Sequence, residues 1–290
     1  MSRALPPHPS DPAEGWELPC PPAEAEGYFR GVCDVFPRVP RRAEDLAAGA
    51  LDALMERCGL EGLRQVFMMP RSARMTGSAE HRVVTPRSVL GIGTRCVGLW
   101  TEEPLPGVKV VIPLERLSAI EDVTVLLYGR LSFISPLERL TIRYNTLARS
   151  ILEPVLLELR HRIAGPPAVL PDKGAADPDL PMKWKRLLRS PVLGFHENAP
   201  VTFCFAHAPP ATRQDVSRGQ ILVVNPHELV YMCDPPEASH TYGADSHIVP
   251  RHRITRVRDR ETYLEVAANG ARLSLPMVRE LRRAGARWFS

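Results

Sequence analysis

Apolar residues recur along the chain at two kinds of spacing, one typical of helices and one typical of strands. From Leu46 to Cys58 they follow at intervals of four, and Gly59 comes directly after them. This spacing predicts a helix with one apolar face that ends at the glycine. A second helical face runs from Leu147 to Ile163, and a shorter, more basic one follows Pro276. Pro154 lies off the second face, where it predicts a kink or a restart.

Between these helices, short runs rich in β-branched residues alternate with turn residues. Residues 83–90 and 223–230 each read as a strand, a turn with proline at its second position, and a second strand. Asn269-Gly270 stands between two further apolar runs, which is the strongest local signal for a β-hairpin. The pattern therefore predicts antiparallel strands.

Three segments recur in the same order along the chain. Residues 83–90, 111–120 and 139–142 are echoed by residues 223–230, 248–257 and 272–275, at offsets of 140, 137 and 133. Ordered offsets that shrink steadily are what small deletions in a second copy produce. We therefore expect two diverged copies of one unit, each ending in a helix.

The order of the first copy resembles that of the bacterial pleckstrin-homology-like (PH-like) domains. The resemblance rests on the runs at residues 83–90, 110–123, 126–134 and 139–145, followed by a helix. It covers about residues 65–165 and, more weakly, 198–290. It implies an α+β, mainly β fold of two bent-sheet barrels, each capped by a C-terminal helix, with an extra N-terminal helix. It also implies a binding or scaffolding module, and it carries over no functional residue.

Composition divides the chain into four parts. The chain of 290 residues holds 30 prolines, about twice the ~5% that is typical, and most of the excess lies near the N-terminus and in a central stretch. We therefore predict a proline-rich acidic segment at 1–42 and a helix with the first PH-like domain at 43–165. A proline-rich linker with a basic segment follows at 166–190, and the second PH-like domain at 191–290.

Charge is unevenly distributed. Residues 1–60 hold 6 basic and 10 acidic side chains, whereas residues 181–290 hold 16 and 10. A basic C-terminal half in a chain with an acidic N-terminal segment indicates either an anionic partner or internal masking.

Two basic clusters are the candidate binding sites. The first combines cations with one tryptophan at the exit of the linker, and the second places arginines on one face of a predicted strand. The first cluster consists of Lys183, Trp184, Lys185, Arg186 and Arg189. The second consists of Arg256, Arg258 and Arg260. The first cluster fits an anionic membrane surface, or else a helix that docks its tryptophan on the second domain. The second fits phosphate or carboxylate oxygens, or else a solvated sheet face.

The sequence offers no pattern typical of an enzyme or a metal protein. Hydrolase, metalloprotease and nucleotide-binding motifs are missing, and Gly91-Ile92-Gly93 is only the start of a dinucleotide loop. We assign the four histidines between residues 227 and 252 to loops and strand edges, and the pairs Glu102-Glu103 and Glu121-Asp122 to turns or solvent. Six scattered cysteines indicate reduced thiols and no zinc site. We predict no catalytic residue, no cofactor and no metal.

Together these features predict a non-enzymatic, cytoplasmic binding protein, with a peripheral membrane location left open. Its partner would be a protein or an anionic membrane surface, and nucleic acid is disfavoured because no aromatic residues interleave with the basic ones. The alternative is a structural subunit of a larger multiprotein assembly. The N-terminus lacks a basic start followed by an apolar run, so no secretory signal is expected.

Overall fold

The computed structural model describes residues 39–40, 45–58, 63–69, 72–75, 82–102, 105–125, 128–146, 149–167, 184, 203–207, 219–234 and 243–289. The chain divides into two compact units. Unit 1 comprises Met1–Glu115 and Leu140–Pro154, and unit 2 comprises Arg116–Arg139 and Val155–Ser290.

Unit 1 contains a helix packed on a four-stranded antiparallel sheet. Its elements are α1 (Ala50–Cys58), β1 (Leu63–Met69), β2 (Ser72–Met75), β3 (Arg82–Thr85), β4 (Ser88–Gly93), β5 (Cys96–Thr101) and β6 (Gly107–Pro113). The sheet has the order β1-β4-β5-β6, and β2 pairs with β3 separately. The helix predicted to end at Gly59 is confirmed, because α1 ends at Cys58.

The core of unit 1 lies between α1 and this sheet. Leu54 of α1 is fully buried and belongs to the same cluster as Val89 and Trp100. Gly91 and Gly98 lie beneath the helix, where a Cβ atom would come within 3.3 Å of Leu54 Cδ1 and 3.0 Å of Leu54 Cδ2, respectively. These glycines therefore permit the close approach of helix and sheet, and the Gly91-Ile92-Gly93 run is part of strand β4.

The rest of the chain, from Ala119 onward, forms ten more strands and two more helices among the residues that the structure describes. They are β7 (Ala119–Val125), β8 (Tyr128–Ile134), β9 (Arg139–Asn145), α2 (Arg149–Ile163), β10 (Phe203–His207), β11 (Gln220–Val224), β12 (Glu228–Cys233), β13 (Ala244–Pro250), β14 (Ile254–Asp259), β15 (Tyr263–Ala268), β16 (Ala271–Pro276) and α3 (Arg279–Phe289). One sheet has the order β10-β11-β12-β13-β7-β8-β9, and a three-stranded sheet has the order β14-β15-β16.

The core of unit 2 joins these sheets to helix α3. Leu222, Tyr231 and Leu264 are fully buried in one cluster, which also contains Leu281 of α3. The hairpin predicted at Asn269-Gly270 is confirmed: both residues have positive φ, 46° and 85°, as a two-residue turn between β15 and β16 requires.

One order of elements occurs twice. β4, β5 and β6 are followed by a 3-10 turn at Leu114–Arg116, three more strands and α2. β11, β12 and β13 are followed by a 3-10 turn at Arg251–Arg253, three more strands and α3. In each case the third strand ends at a proline, Pro113 or Pro250, as the recurring sequence segments indicate.

The predicted pair of helix-capped barrels is wrong. The described strands form open sheets with two ends, and none of them closes into a barrel. The physical reason lies in the partner of β7, which pairs with β13 through Ile120–Thr124 and Ala244–Ile248. The backbone groups along this edge of β7 are therefore paired with β13 and do not close a sheet with strands β4 to β6. Strands β7 and β8 accordingly belong to unit 2, although they fall in the predicted domain 43–165.

None of the described helices combines the length and the apolar character needed to cross a membrane.

Candidate functional site

The first predicted basic cluster is described at one residue only. Trp184 is helical and 2% exposed. Its ring lies against Gly219, where a Cβ atom would come within 2.9 Å of Trp184 Cζ2. The tryptophan is therefore part of the packing of unit 2, as in the docked-helix alternative. Lys183, Lys185, Arg186 and Arg189 lie outside the described residues.

The second predicted cluster lies on the edge strand of the three-stranded sheet. Arg256 and Arg258 are opposite Ala267 and Glu265 of β15, so they share one face, while Val257 packs toward the core. Arg256 is exposed and Arg258 half-buried. Arg260 follows the end of β14, and its Nη2 donates to both carboxylate oxygens of Glu265 at 3.2 and 3.3 Å. Within the described residues, β14 pairs only with β15, so its outer edge is unpaired.

An open cleft lies where the end of β14 meets helix α3. It has a volume of about 460 Å³ and is lined only by charged residues: Asp259, Arg260, Glu261, Arg279, Arg282 and Arg283. The lining carries four cations and two anions. The cleft therefore favours an anion, because its net charge is positive.

The ion pairs divide these arginines by role. Arg282 is 8% exposed, its Nε donates to Asp259 Oδ1 at 2.6 Å, and its Nη1 donates to Met277 O at 3.2 Å. Arg282 therefore connects α3 to the end of β14. Arg279 and Arg283 are exposed and have no ion-pair partner among the described residues. They are the cations of the cleft that are available to a ligand.

Sequence reasoning noted that α3 is basic but did not choose its arginines as a site. Their spacing of four, from Arg279 to Arg283, places both on one helical face and was the available signal. The spacing does not show that these arginines lie beside Arg260, because that proximity depends on how α3 packs. The candidate site is therefore built from one predicted residue and several that were not predicted.

A different cluster surrounds the carboxylate pair Glu121-Asp122, and the prediction that this pair lies in a turn or in solvent is wrong. Both residues belong to β7, 6% and 1% exposed. Two arginines balance the charge of Glu121: Arg130 Nη2 lies 3.1 Å from its Oε1, and Arg139 forms a second ion pair with it. Local sequence does not reveal this burial, because β13, one of the two strands that flank β7, is distant in sequence.

The histidines occupy different environments. His227 lies in the turn between β11 and β12, and His252 lies in a 3-10 turn with Nδ1 3.0 Å from Ala164 O. His247 is inside strand β13, opposite Glu121, whereas it was assigned to a loop or a strand edge. His240 lies outside the described residues.

Arg160 and Glu228 form a buried ion pair. Arg160 Nε donates to Glu228 Oε1 at 3.1 Å and Nη2 donates to Oε2 at 2.6 Å, and the side chains are 1% and 0% exposed. Asn225 Oδ1 accepts hydrogen bonds from the backbone N–H groups of His227 and Glu228, each at 2.8 Å, and so shapes the turn that positions Glu228. Because it is closed to solvent, the pair has a structural role.

Comparison with protein-family models, with curated proteins and with solved structures gave no match to this chain.

Proposed function

We propose that this protein is a non-enzymatic binding protein whose unit 2 recognises an acidic segment of a protein partner. The single observation that carries the proposal is the charged cleft between β14 and α3, with the exposed cations Arg279 and Arg283. A guanidinium group presents a planar fork of donors, which matches a carboxylate in a bidentate way. An acidic side chain that enters the cleft can therefore bind without first breaking the Arg282–Asp259 pair.

The outer edge of β14 sets the orientation of an extended ligand in this proposal. An extended segment can add to an unpaired strand edge through backbone hydrogen bonds, while pockets beside the edge select its side chains. Arg256 and Arg258 point from β14 itself, and the cleft follows at the C-terminal end of the strand. A strand with acidic residues at alternate positions fits this surface, because alternate side chains of a strand share a face.

A protein segment is favoured over an anionic membrane surface for two reasons. The cleft adjoins the edge of β14, and a segment of chain can form backbone hydrogen bonds with a strand edge, whereas a lipid surface cannot. Trp184, which could have anchored a peripheral helix in the bilayer, is instead buried at 2% exposure. In this proposal the protein acts in the cytoplasm and reaches a membrane only through its partner.

The proposal is tested with two probes offered to the full-length protein. The first is a fluorescently labelled oligo-glutamate peptide, measured by fluorescence anisotropy. The second is a set of vesicles with and without anionic lipid, measured by co-sedimentation. We expect the peptide to bind, with an affinity that falls as salt is added, because exposed charges are screened. Binding to anionic vesicles together with no binding of the peptide would replace the protein partner with a membrane surface. Binding to neither would refute the proposal.

A further inference from the structure

We infer that Glu121, Asp245 and His247 form a binding site for a divalent transition-metal ion of the zinc class. This site is separate from the arginine-lined cleft and does not depend on the proposed function. The three residues lie on the neighbouring strands β7 and β13, both in unit 2.

The pairing of the two strands brings the three side chains to one face. His247 is directly opposite Glu121, and Asp245 is opposite Val123. Side chains two residues apart on a strand share a face, as do directly opposite residues on antiparallel strands. The backbone register therefore places one imidazole and two carboxylates together. One potential ligand atom from each lies within 4.8 Å of the other two.

The contact between Asp245 and His247 is not a hydrogen bond. His247 Nε2 lies 3.2 Å from Asp245 Oδ1, yet Asp245 Oδ1 is buried and accepts no hydrogen bond from any residue that the structure describes. Buried polar atoms are nearly always satisfied, and unsatisfied ones call for an explanation such as a bound ion or water.

The distance between these atoms suits two ligands of one metal ion. Zinc binds imidazole nitrogen and carboxylate oxygen at about 2.0–2.2 Å, so two ligands of a tetrahedral site lie about 3.3–3.5 Å apart. A shared ion satisfies Nε2 and Oδ1 together. A mixed nitrogen and oxygen set favours zinc-like ions over Mg²⁺ and Ca²⁺, which prefer oxygen ligands alone.

Access and charge set the expected strength of the site. The side chains of Asp245 and His247 are 17% and 13% exposed, so an ion can enter and water can complete its coordination. Arg130 and Arg139 both form ion pairs with Glu121, one at each carboxylate oxygen. Metal binding must therefore displace Arg139 from Glu121, which is feasible because the Arg139 side chain is 50% exposed. We expect modest affinity that rises when Arg139 is neutralised.

The test uses Co²⁺ as a spectroscopic probe for the full-length protein after treatment with a chelator. We expect one equivalent of Co²⁺ with visible absorption typical of a tetrahedral nitrogen and oxygen site, displaced by Zn²⁺. Asp245→Asn and His247→Ala should each weaken binding at least tenfold. His252→Asn, which removes a histidine of the same unit outside the cluster, should leave it unchanged. Thermal unfolding of each variant confirms that it folds.

Arg139→Gln distinguishes metal binding from a structural role for the cluster. If the three residues bind metal, this variant should bind Co²⁺ several-fold more tightly than the wild type. The proposal is overturned if the wild type takes up no Co²⁺. It is equally overturned if His247→Ala and Asp245→Asn bind as the wild type does, or if the bound ion shows thiolate charge-transfer absorption, which would place it at cysteines.

Discussion

The buried Arg160–Glu228 pair allows a quantitative prediction about the stability of unit 2. Arg160→Met removes a guanidinium group that is 1% exposed and leaves the Glu228 carboxylate buried at 0% exposure without its counterion. Breaking a buried ion pair by removing one partner costs about 3–5 kcal/mol, because the remaining charge cannot be solvated. That is a large fraction of the ~5–15 kcal/mol by which most proteins are stable.

The free energy of unfolding should be measured by urea denaturation for the wild type, both single variants and the double variant. Arg160→Met and Glu228→Leu should each lose about 3–5 kcal/mol, whereas the double variant should lie within about 1 kcal/mol of the wild type. Arg162→Met is the matched control. It lies on the same helix in a partly exposed pair with Glu158 at 3.7 Å, and should cost about 0.5 kcal/mol or less. An Arg160→Met variant as stable as this control would show that the buried Glu228 carboxylate does not depend on its counterion.

Three further predictions concern single residues. Burial, and then the neighbouring Arg253, lower the pKa of His252 below its ordinary value of 6.5. At pH values near 6.5 and below, the unfolded chain therefore binds more protons at His252 than the folded protein does. Stability is lost as pH falls from above 6.5 through the lower pKa of the folded state. The melting temperature of His252→Asn should therefore decline less steeply than that of the wild type over this range. Gly270→Ala should destabilise the protein by about 1–2 kcal/mol in chemical denaturation, because Gly270 has φ of 85°. A hydrogen bond with Cys96 and burial raise the pKa of the Cys58 thiol, so iodoacetamide should alkylate Cys58 slowly in the native protein and quickly in urea.

Local features of the fold were predictable from sequence because they depend on neighbours in the chain. The Asn269-Gly270 hairpin follows from two residues that adopt positive φ easily. Helix α1 follows from apolar residues at intervals of four that end at a glycine. Barrel closure was predicted wrongly because it depends on the strand with which β7 pairs. That strand is β13, which lies more than a hundred residues further along the chain.

The candidate sites were less predictable for the same reason. Alternation along a strand correctly placed Arg256 and Arg258 on one face. No local pattern shows that Arg279 and Arg283 lie beside the end of that strand, since their meeting depends on how α3 packs. Glu121 was assigned to a turn or to solvent because adjacent charges usually lie there, whereas in this fold two arginines compensate for its burial.

Recognition of an acidic segment at the cleft is tested by comparing two variants that lose the same charge from different places. One is Arg279→Gln/Arg283→Gln, which neutralises the cleft. The other is Arg87→Gln/Arg95→Gln, which removes two exposed arginines from unit 1. The measured quantity is the dissociation constant for oligo-glutamate peptide at one fixed ionic strength.

A hydrogen bond to a charged group contributes about 1.5–3 kcal/mol, and about 1.4 kcal/mol corresponds to a tenfold change in affinity. The cleft variant should therefore bind at least tenfold more weakly than the wild type, while the unit 1 variant changes its affinity by less than about threefold. Equal weakening of both variants would mean that the peptide responds only to net charge, and would contradict recognition at the cleft.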